Sequence, residues 1–321
     1  MRRLAFLSAA DSTDVGVHGA YRRRRRYVDV FCVRPRGMLG ILVRHHRTGA
    51  VGLSIVGLVA IAMLFAPLIA PYGSTSQDLL AALQAPSRAH YFGTDELGRD
   101  VYSRVLYGAR VSVGLGVAVV VCASIVGVAA GVVAGYRGGR LDGAIMRTAD
   151  AFLAFPKLIL AMAVAAALGP NLRNTFLAVT VTWWPEYARV ARSIAVAERH
   201  AEFVAAARVL GVTDRRIIRR HIVPPVMGPV VAKATLDVGH AIIYIAGLSF
   251  IGFGVRPPDP EWGLMIAQGQ NYIASAWWIV TFPGLAILIT ALGFSLLGES
   301  VRDMMDPVLR QDARARGEAE R

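Results

Sequence analysis

Charge is scarce in these 321 residues, cysteine is almost missing and lysine nearly so. Only 18% of the residues are charged while 55% are hydrophobic, a balance that argues against an ordinary soluble domain and for a polytopic membrane protein. The two cysteines, Cys32 in a basic stretch and Cys122 inside an apolar run, make a disulfide framework or a cysteine-based zinc site a poor reading. Lys157 and Lys233 are the sole lysines, and they follow Pro156 and Ala232. A phosphate-binding loop needs glycine and then lysine, so the chain has no such loop and is not expected to hydrolyse ATP. What remains is arginine, which carries nearly all of a net charge of +13. Such a surplus fits a nucleic-acid binder or a membrane protein with one basic side, and the positions of the arginines decide between them.

A helix that crosses the hydrocarbon core takes about 20 mostly apolar residues. Six stretches are read as spans: 50–70, 111–135, 151–168, 175–188, 227–254 and 277–297. The third is short and is expected to borrow residues upstream. The fourth is the weakest, because "TWWPEYAR" places Pro185 and Glu186 inside it. With six spans and the N-terminus inside, the inner segments hold 27 of the 33 arginines, and only Arg88, Arg99, Arg104, Arg110, Arg173 and Arg256 fall outside. Basic residues prefer the cytoplasmic side, so both termini are expected there. The start "MRRLAFLSAA" imitates a secretory signal, but Arg22 to Arg26 follow it closely and resist translocation. Residues 1–37 are read as a cytosolic tail or as a stretch ahead of a true start at Met38. Gly127, Gly131 and Gly135 recur every four residues, a small-residue stripe that lets another helix approach. Pro156, Pro185 and Pro283 are expected to kink their spans.

Between the fourth and fifth spans lies "AEFVAAARVLGVTDRRIIRRHIVPP", residues 201–225. Its alanines favour helix, Gly211 suits the left-handed turn that ends one, and Thr213 with Asp214 starts a second. Pro224 and Pro225 are expected to stop that second helix at the membrane surface. A DNA-binding helix-turn-helix has a similar local pattern, but that motif needs a third helix to complete its core, and both ends here run into the bilayer. No nucleic-acid partner is expected.

The segment resembles the EAA loop of ABC importer permeases, which reads Glu-Ala-Ala, three residues, Gly, and nine residues later Ile-x-Leu-Pro. Ala206 and Ala207 match the alanines, Gly211 the glycine, and Val223 with Pro224 the final pair; Ala205 stands where the glutamate is found and His221 where the isoleucine is. Glu202 lies one turn earlier and is the candidate substitute for that glutamate. Further blocks, "HYFGTDELGRDVYSRVLYGARVSV" at 90–113, "DAFLAFPKLILA" at 150–161, "LSFIGFGVRPPDPEWGLM" at 248–265 and "LLGESVRDMMDPVLR" at 296–310, are similar to the C-type subunit of the dipeptide, oligopeptide and nickel branch. The resemblance implies an all-α polytopic membrane protein with six transmembrane helices, the transmembrane domain of a type I ABC importer, in the cell's inner membrane. It divides the chain into a basic tail at 1–49, a first span and outer loop at 50–110, a five-helix domain at 111–300 with the coupling loop at 194–225, and a tail at 301–321.

The resemblance further implies a second permease subunit, read as a heterodimer partner, two cytosolic ATPase subunits and an extracytoplasmic solute-binding protein, all around the lipid bilayer. ATP and Mg belong to the ATPase subunits, and this chain itself needs no cofactor and no metal. The coupling residues are then Glu202, Ala205, Ala206, Ala207, Gly211, Thr213, Asp214, Arg215 and Pro224. Small side chains and bare backbone permit close approach, and the arginines suit acidic groups or lipid phosphates around the rim. Asp259, Glu261 and Trp262 in "RPPDPEWG" are candidate contacts for the binding protein, Trp262 as an anchor or as an interfacial belt residue. Residues 93–110 are read as an amphipathic outer helix entered through Thr94, Asp95 and Glu96. Lys233, Asp237 and His240 share one face of the fifth span. Lys233 and Asp237 are read as a structural pair, with Asp237 and His240 the candidates for lining a solute path. An ion-coupled secondary transporter working through Asp237 and His240 is the competing reading. It leaves the hairpin without a task and predicts doubled internal repeats that the sequence does not show.

Overall fold

Ten helices carry residues 47–305, the part of the chain that the computed structural model describes. They are α1 (Arg47–Ile69), α2 (Val101–Arg137), α3 (Gly139–Leu153), α4 (Lys157–Leu168), α5 (Leu172–Arg199), α6 (Glu202–Val209), α7 (Asp214–Ile217), α8 (Val223–Phe250), α9 (Trp262–Gly269) and α10 (Trp278–Met305). Among the described residues the nearest approach to a sheet is one antiparallel bridge between Thr94 and Asp100. The readings of residues 1–46 and 306–321, which include the imitated signal and most of both tails, lie outside the described residues. The six stretches read as spans fall on α1, α2, α4, α5, α8 and α10, as an all-α membrane fold requires.

Four helical rods are long and apolar enough to cross a bilayer alone: α1, α2, α10 and the continuous rod from Asp214 to Phe250. The third span is not built as expected. It does not borrow residues from upstream, because α3 and α4 are separated by a break at Ala154 to Pro156 and meet at 93°. Pro156 is the residue before the first turn of α4, so it ends one helix and starts another rather than kinking a single one. The 12 residues of α4 reach only about 18 Å. α3 is amphipathic and lies across the bundle, fixed to α5 by ion pairs of Arg192 with Asp142 and of Arg189 with Asp150 at 2.6 Å.

The weakest span by sequence is tightly packed in space. α5 runs 28 residues with Pro185 inside it, and its contact with α2 is the most extensive between any two helices. The glycine stripe makes that contact possible. A Cβ at Gly127 or Gly131 would overlap the carbonyl oxygens of Trp184 and Ala188, and one at Gly135 would lie 2.8 Å from Ala195 Cβ. Two backbones thus touch where side chains would hold them apart, and dispersion over a long seam replaces the hydrophobic drive that lipid removes. Tyr187, Ala188, Ala191 and Ala195 on the facing side are fully buried.

The outer amphipathic helix expected at 93–110 does not exist as such. Residues 93–100 form a folded loop, Asp100 accepts from the backbone N–H of Ser103 at 2.8 Å, and the helix that starts at Val101 runs unbroken into the span as α2. Thr94 and Asp95 are buried beneath the loop. Asp95 receives Arg99 at 2.6 Å and faces Arg104 at 3.5 Å, Glu96 receives Arg99 at 3.0 Å, and Asp100 faces His90 at 3.0 Å. Each acid therefore has a cationic or hydrogen-bond partner in the protein. Among the described residues no group of His, Cys, Asp and Glu is placed to hold a metal ion.

Arg110 shows why an arginine tolerates a place beside a span. Pro67 inside α1 has no N–H for the carbonyl four residues back, Met63, and Arg110 Nε donates to that oxygen at 2.7 Å while its terminal nitrogen reaches Leu64 O at 3.0 Å.

Candidate functional site

The hairpin between α5 and α8 is a closed turn with an exposed tip. Gly211 has φ +73°, its N–H donates to Arg208 O at 2.9 Å, and Val212 N–H reaches back to Ala207 O at 3.0 Å. This is the Schellman arrangement, in which a left-handed residue closes the last carbonyls of a helix. Thr213 stands ahead of α7, but its side chain makes no capping bond; its carbonyl accepts from Arg216 and Ile217 N–H instead. Val204, Ile217 and Ile222 are fully buried and anchor the hairpin to the bundle.

Pro224 and Pro225 do not stop the second helix. α7 passes through a π turn at Ile218–Ile222, in which Val223 N–H reaches back to Ile218 O, and continues as α8. The prolines fall in the first turn of α8, where a missing N–H is tolerated, and the π turn just ahead shifts the hydrogen-bond register around their rings. Residues 214–250 therefore form one rod of 37 residues.

The surface that the tip offers is only partly the expected one. Glu202, Ala205, Ala206, Gly211, Thr213, Asp214 and Arg215 are exposed, and Ala207 and Pro224 are half-buried. Val209 and Leu210, absent from the sequence-based set, are 88% and 81% exposed. Two large apolar side chains held in water at the end of a capped helix are the most distinctive feature of the tip. A second omission is Tyr136 at the end of α2. Its hydroxyl donates to Asp214 at 2.6 Å, and the Arg208 guanidinium lies 5.2 Å from its ring centroid. The hairpin is thereby clipped to α2 as well as continuous with α8.

Inside the bundle the pair of Lys233 with Asp237 is present at 3.0 Å and belongs to a larger network. Glu186 on α5 receives Lys157 from α4 on one oxygen and Lys233 from α8 on the other, the latter at 2.8 Å, and Tyr187 donates to Asp237 at 2.7 Å. Asp237 is buried, with its oxygens turned onto Lys233 and Tyr187, which removes it from the set of path-lining candidates; His240 is exposed. The glutamate that weakened the fourth span on paper is thus the joint that ties three helices together. Lys233→Met should leave Asp237 without a counter-charge. Lys233 and Glu186 are about a quarter exposed while Asp237 is a tenth exposed, so the cost should be about 2–3 kcal/mol, at or below the low end of the ~3–5 kcal/mol of a fully buried pair. Thermal unfolding in detergent should show a lower midpoint for Lys233→Met, partly restored by adding Asp237→Leu.

Glu261 and Trp262 are not available to another protein. Trp262 is 2% exposed, with its ring against Gly108 and its Nε1 donating to Val105 O at 3.0 Å. Glu261 is fully buried and caps α9, accepting from Gly263 N–H at 3.0 Å, Leu264 N–H at 2.8 Å and Ser112 Oγ at 3.2 Å. Burial pushes its carboxyl above the usual range, against the opposite pull of those donors. The two residues lock the loop to α2, a role their spacing does not reveal. Of the expected contact set only Asp259 is exposed.

Helices that bundle through small residues and a tethered hairpin hung between two spans are the frame of a polytopic membrane protein. The chain belongs to the binding-protein-dependent transport system inner membrane component family, whose model matches residues 127–311, and residues 43–86 match the N-terminal TM domain of oligopeptide transport permease C. It is a multi-pass inner-membrane permease of the ABC importer type and not an enzyme. It is 45% identical over 253 residues to the Probable D,D-dipeptide transport system permease protein DdpC of Escherichia coli (strain K12), which covers 79% of this chain and 85% of that protein. It is 43% identical over 274 residues to the Dipeptide transport system permease protein DppC of the same strain, covering 84% and 91%. With the Di/tripeptide transport system permease protein DppC of Pseudomonas aeruginosa (strain UCBPP-PA14) it shares 41% over 275 residues, again 84% and 91% of the two chains.

Proposed function

We propose that this chain is one half of the translocation path of an importer of di- and oligopeptides, reoriented by ATPase subunits that seat the hairpin tip in a surface groove. The observation that carries the reading is the exposed Val209 and Leu210 pair at a tip with two mechanical outlets, Tyr136 into α2 and the unbroken rod into α8. Closure of the ATPase subunits on ATP and Mg displaces the groove, and the hairpin transmits that displacement as rigid-body motion. The distribution of arginines supports placing the hairpin and both termini in the cytoplasm. A second permease subunit completes the path as a heterodimer, and a solute-binding protein delivers peptide at the opposite face, where Asp259 remains a candidate contact. The peptide substrate rests on the names of the relatives. An ion-coupled mechanism has less support, because Asp237 is occupied by Lys233 and Tyr187.

A cysteine at Leu210, in a chain whose Cys32 and Cys122 are serine, should crosslink to a nucleotide-hydrolysing subunit in native membranes; a tip that reacts only with extracytoplasmic reagents refutes the reading. Tyr136→Phe removes one clip and leaves the rod intact. It is expected to lower peptide uptake about three- to tenfold, the net worth of roughly one ordinary hydrogen bond (~0.5–1.5 kcal/mol), while ATP hydrolysis by the purified complex changes less. Equal loss of both activities would show that Tyr136 only stabilises the fold.

A further inference from the structure

Four guanidinium groups at the root of the hairpin have no use within the described chain. Arg215 and Arg216 on α7 and Arg219 and Arg220 on the π turn are all exposed, and none pairs with a described residue. Neighbouring arginines differ. Arg189 and Arg192 hold α3, Arg199 reaches the carbonyls of Gly135 and Tyr136 at 3.4 and 3.3 Å, and Arg208 lies over Tyr136. Asp214 is the single acid between Glu202 and Asp237, and it is engaged by the Tyr136 hydroxyl. The four arginines and Thr213 line one open cleft of about 360 Å³.

We propose that this cleft holds the phosphodiester headgroup of an anionic phospholipid from the leaflet that borders the hairpin. Its position favours lipid over protein. The second arginine pair lies one helical turn ahead of Val223, where the apolar rod of α8 begins, whereas the apolar residues suited to a protein groove cap the tip at Val209 and Leu210. Guanidinium forks bind phosphate oxygens in pairs, a hydroxyl adds a further donor, and a basic cluster next to a span sits where headgroup charge is densest. A bound headgroup gives the stem of the hairpin a fixed point on the membrane surface.

The test uses the full-length chain with the subunits it retains, in vesicles of phosphatidylcholine alone or with an equal part of phosphatidylglycerol that carries a photoreactive headgroup label. Label is expected to concentrate on residues 210–225, and R215Q/R216Q/R219Q/R220Q should lower it about tenfold, while the fourfold Arg→Lys variant keeps most of it. Should the quadruple glutamine variant fail to insert, R215Q/R219Q is expected to lose about threefold. Unchanged labelling in the glutamine variants overturns the proposal. So does displacement of the label by inorganic phosphate as readily as by unlabelled phosphatidylglycerol, which makes the cleft a site for the free ion. Loss of copurifying ATPase activity from R216Q/R219Q/R220Q, which spares the coupling residue Arg215, in phosphatidylcholine, where the wild type retains it, also overturns it, by assigning the arginines to an acidic protein rim.

Discussion

Uptake should fall on the order of a hundredfold when Val209 and Leu210 are both replaced by aspartate, with the permease still present in the membrane at its normal level. Each side chain is more than four-fifths exposed, so neither contributes to the packing of the isolated chain and the folded body has no reason to change. Burying a leucine or a valine against a partner stabilises the contact by about 1.5–3 kcal/mol apiece, and a carboxylate in the same groove adds a desolvation cost. The two effects act together on docking and leave the fold alone. Peptide accumulation by cells, alongside the amount of permease in their membranes, is the measurement. Unimpaired accumulation would mean that the tip meets water and not a motor subunit. Gly211 is a less clean position for this test, since φ +73° strains any replacement by about 1–2 kcal/mol before a partner arrives.

Gly131→Leu is expected to have the opposite profile, loss of the folded protein itself. The added Cβ overlaps the Ala188 carbonyl, a backbone atom in the middle of α5 that has no rotamer to yield. The helices must separate, and with them goes the closest seam of the bundle. We expect a cost of about 3 kcal/mol or more, with little monodisperse protein recovered in detergent. Gly143→Leu is the control, because a Cβ there meets nothing within 4 Å. Similar recovery of both variants would contradict the close α2 and α5 contact.

Much of the fold was legible because the bilayer imposes simple arithmetic. Length and apolarity located the helices, and the glycine spacing announced a close helix contact. What failed was local punctuation. Pro156 read as a kink and proved to be a break, because the chain turns 93° there. Pro224 and Pro225 read as a stop, and a π turn carried the helix past them. The loop at 93–100 read as helix because its acids resemble a helix start, yet their partners Arg99, Arg104 and His90 hold them in a folded loop.

The site was legible as a segment and not as a surface. Alanine spacing and Gly211 located the hairpin, while Val209 and Leu210 passed as ordinary apolar residues of a helix, because exposure is a property of what fails to pack against them. Trp262 was misjudged for the converse reason: an aromatic just after three prolines looks like an anchor until Gly108 is found beneath its ring.

By itself the sequence determined that the chain lives in a membrane, where its helices lie and which segment bends between two of them, because composition and periodicity are local facts. Tertiary structure alone decided that Glu186 joins Lys157 to Lys233, that Tyr136 grips Asp214 and that Glu261 and Trp262 are sealed inside. Those are meetings of residues up to about 150 positions apart in the chain, and a buried charge or ring is defined by the neighbours that desolvate it, which no single stretch of sequence contains.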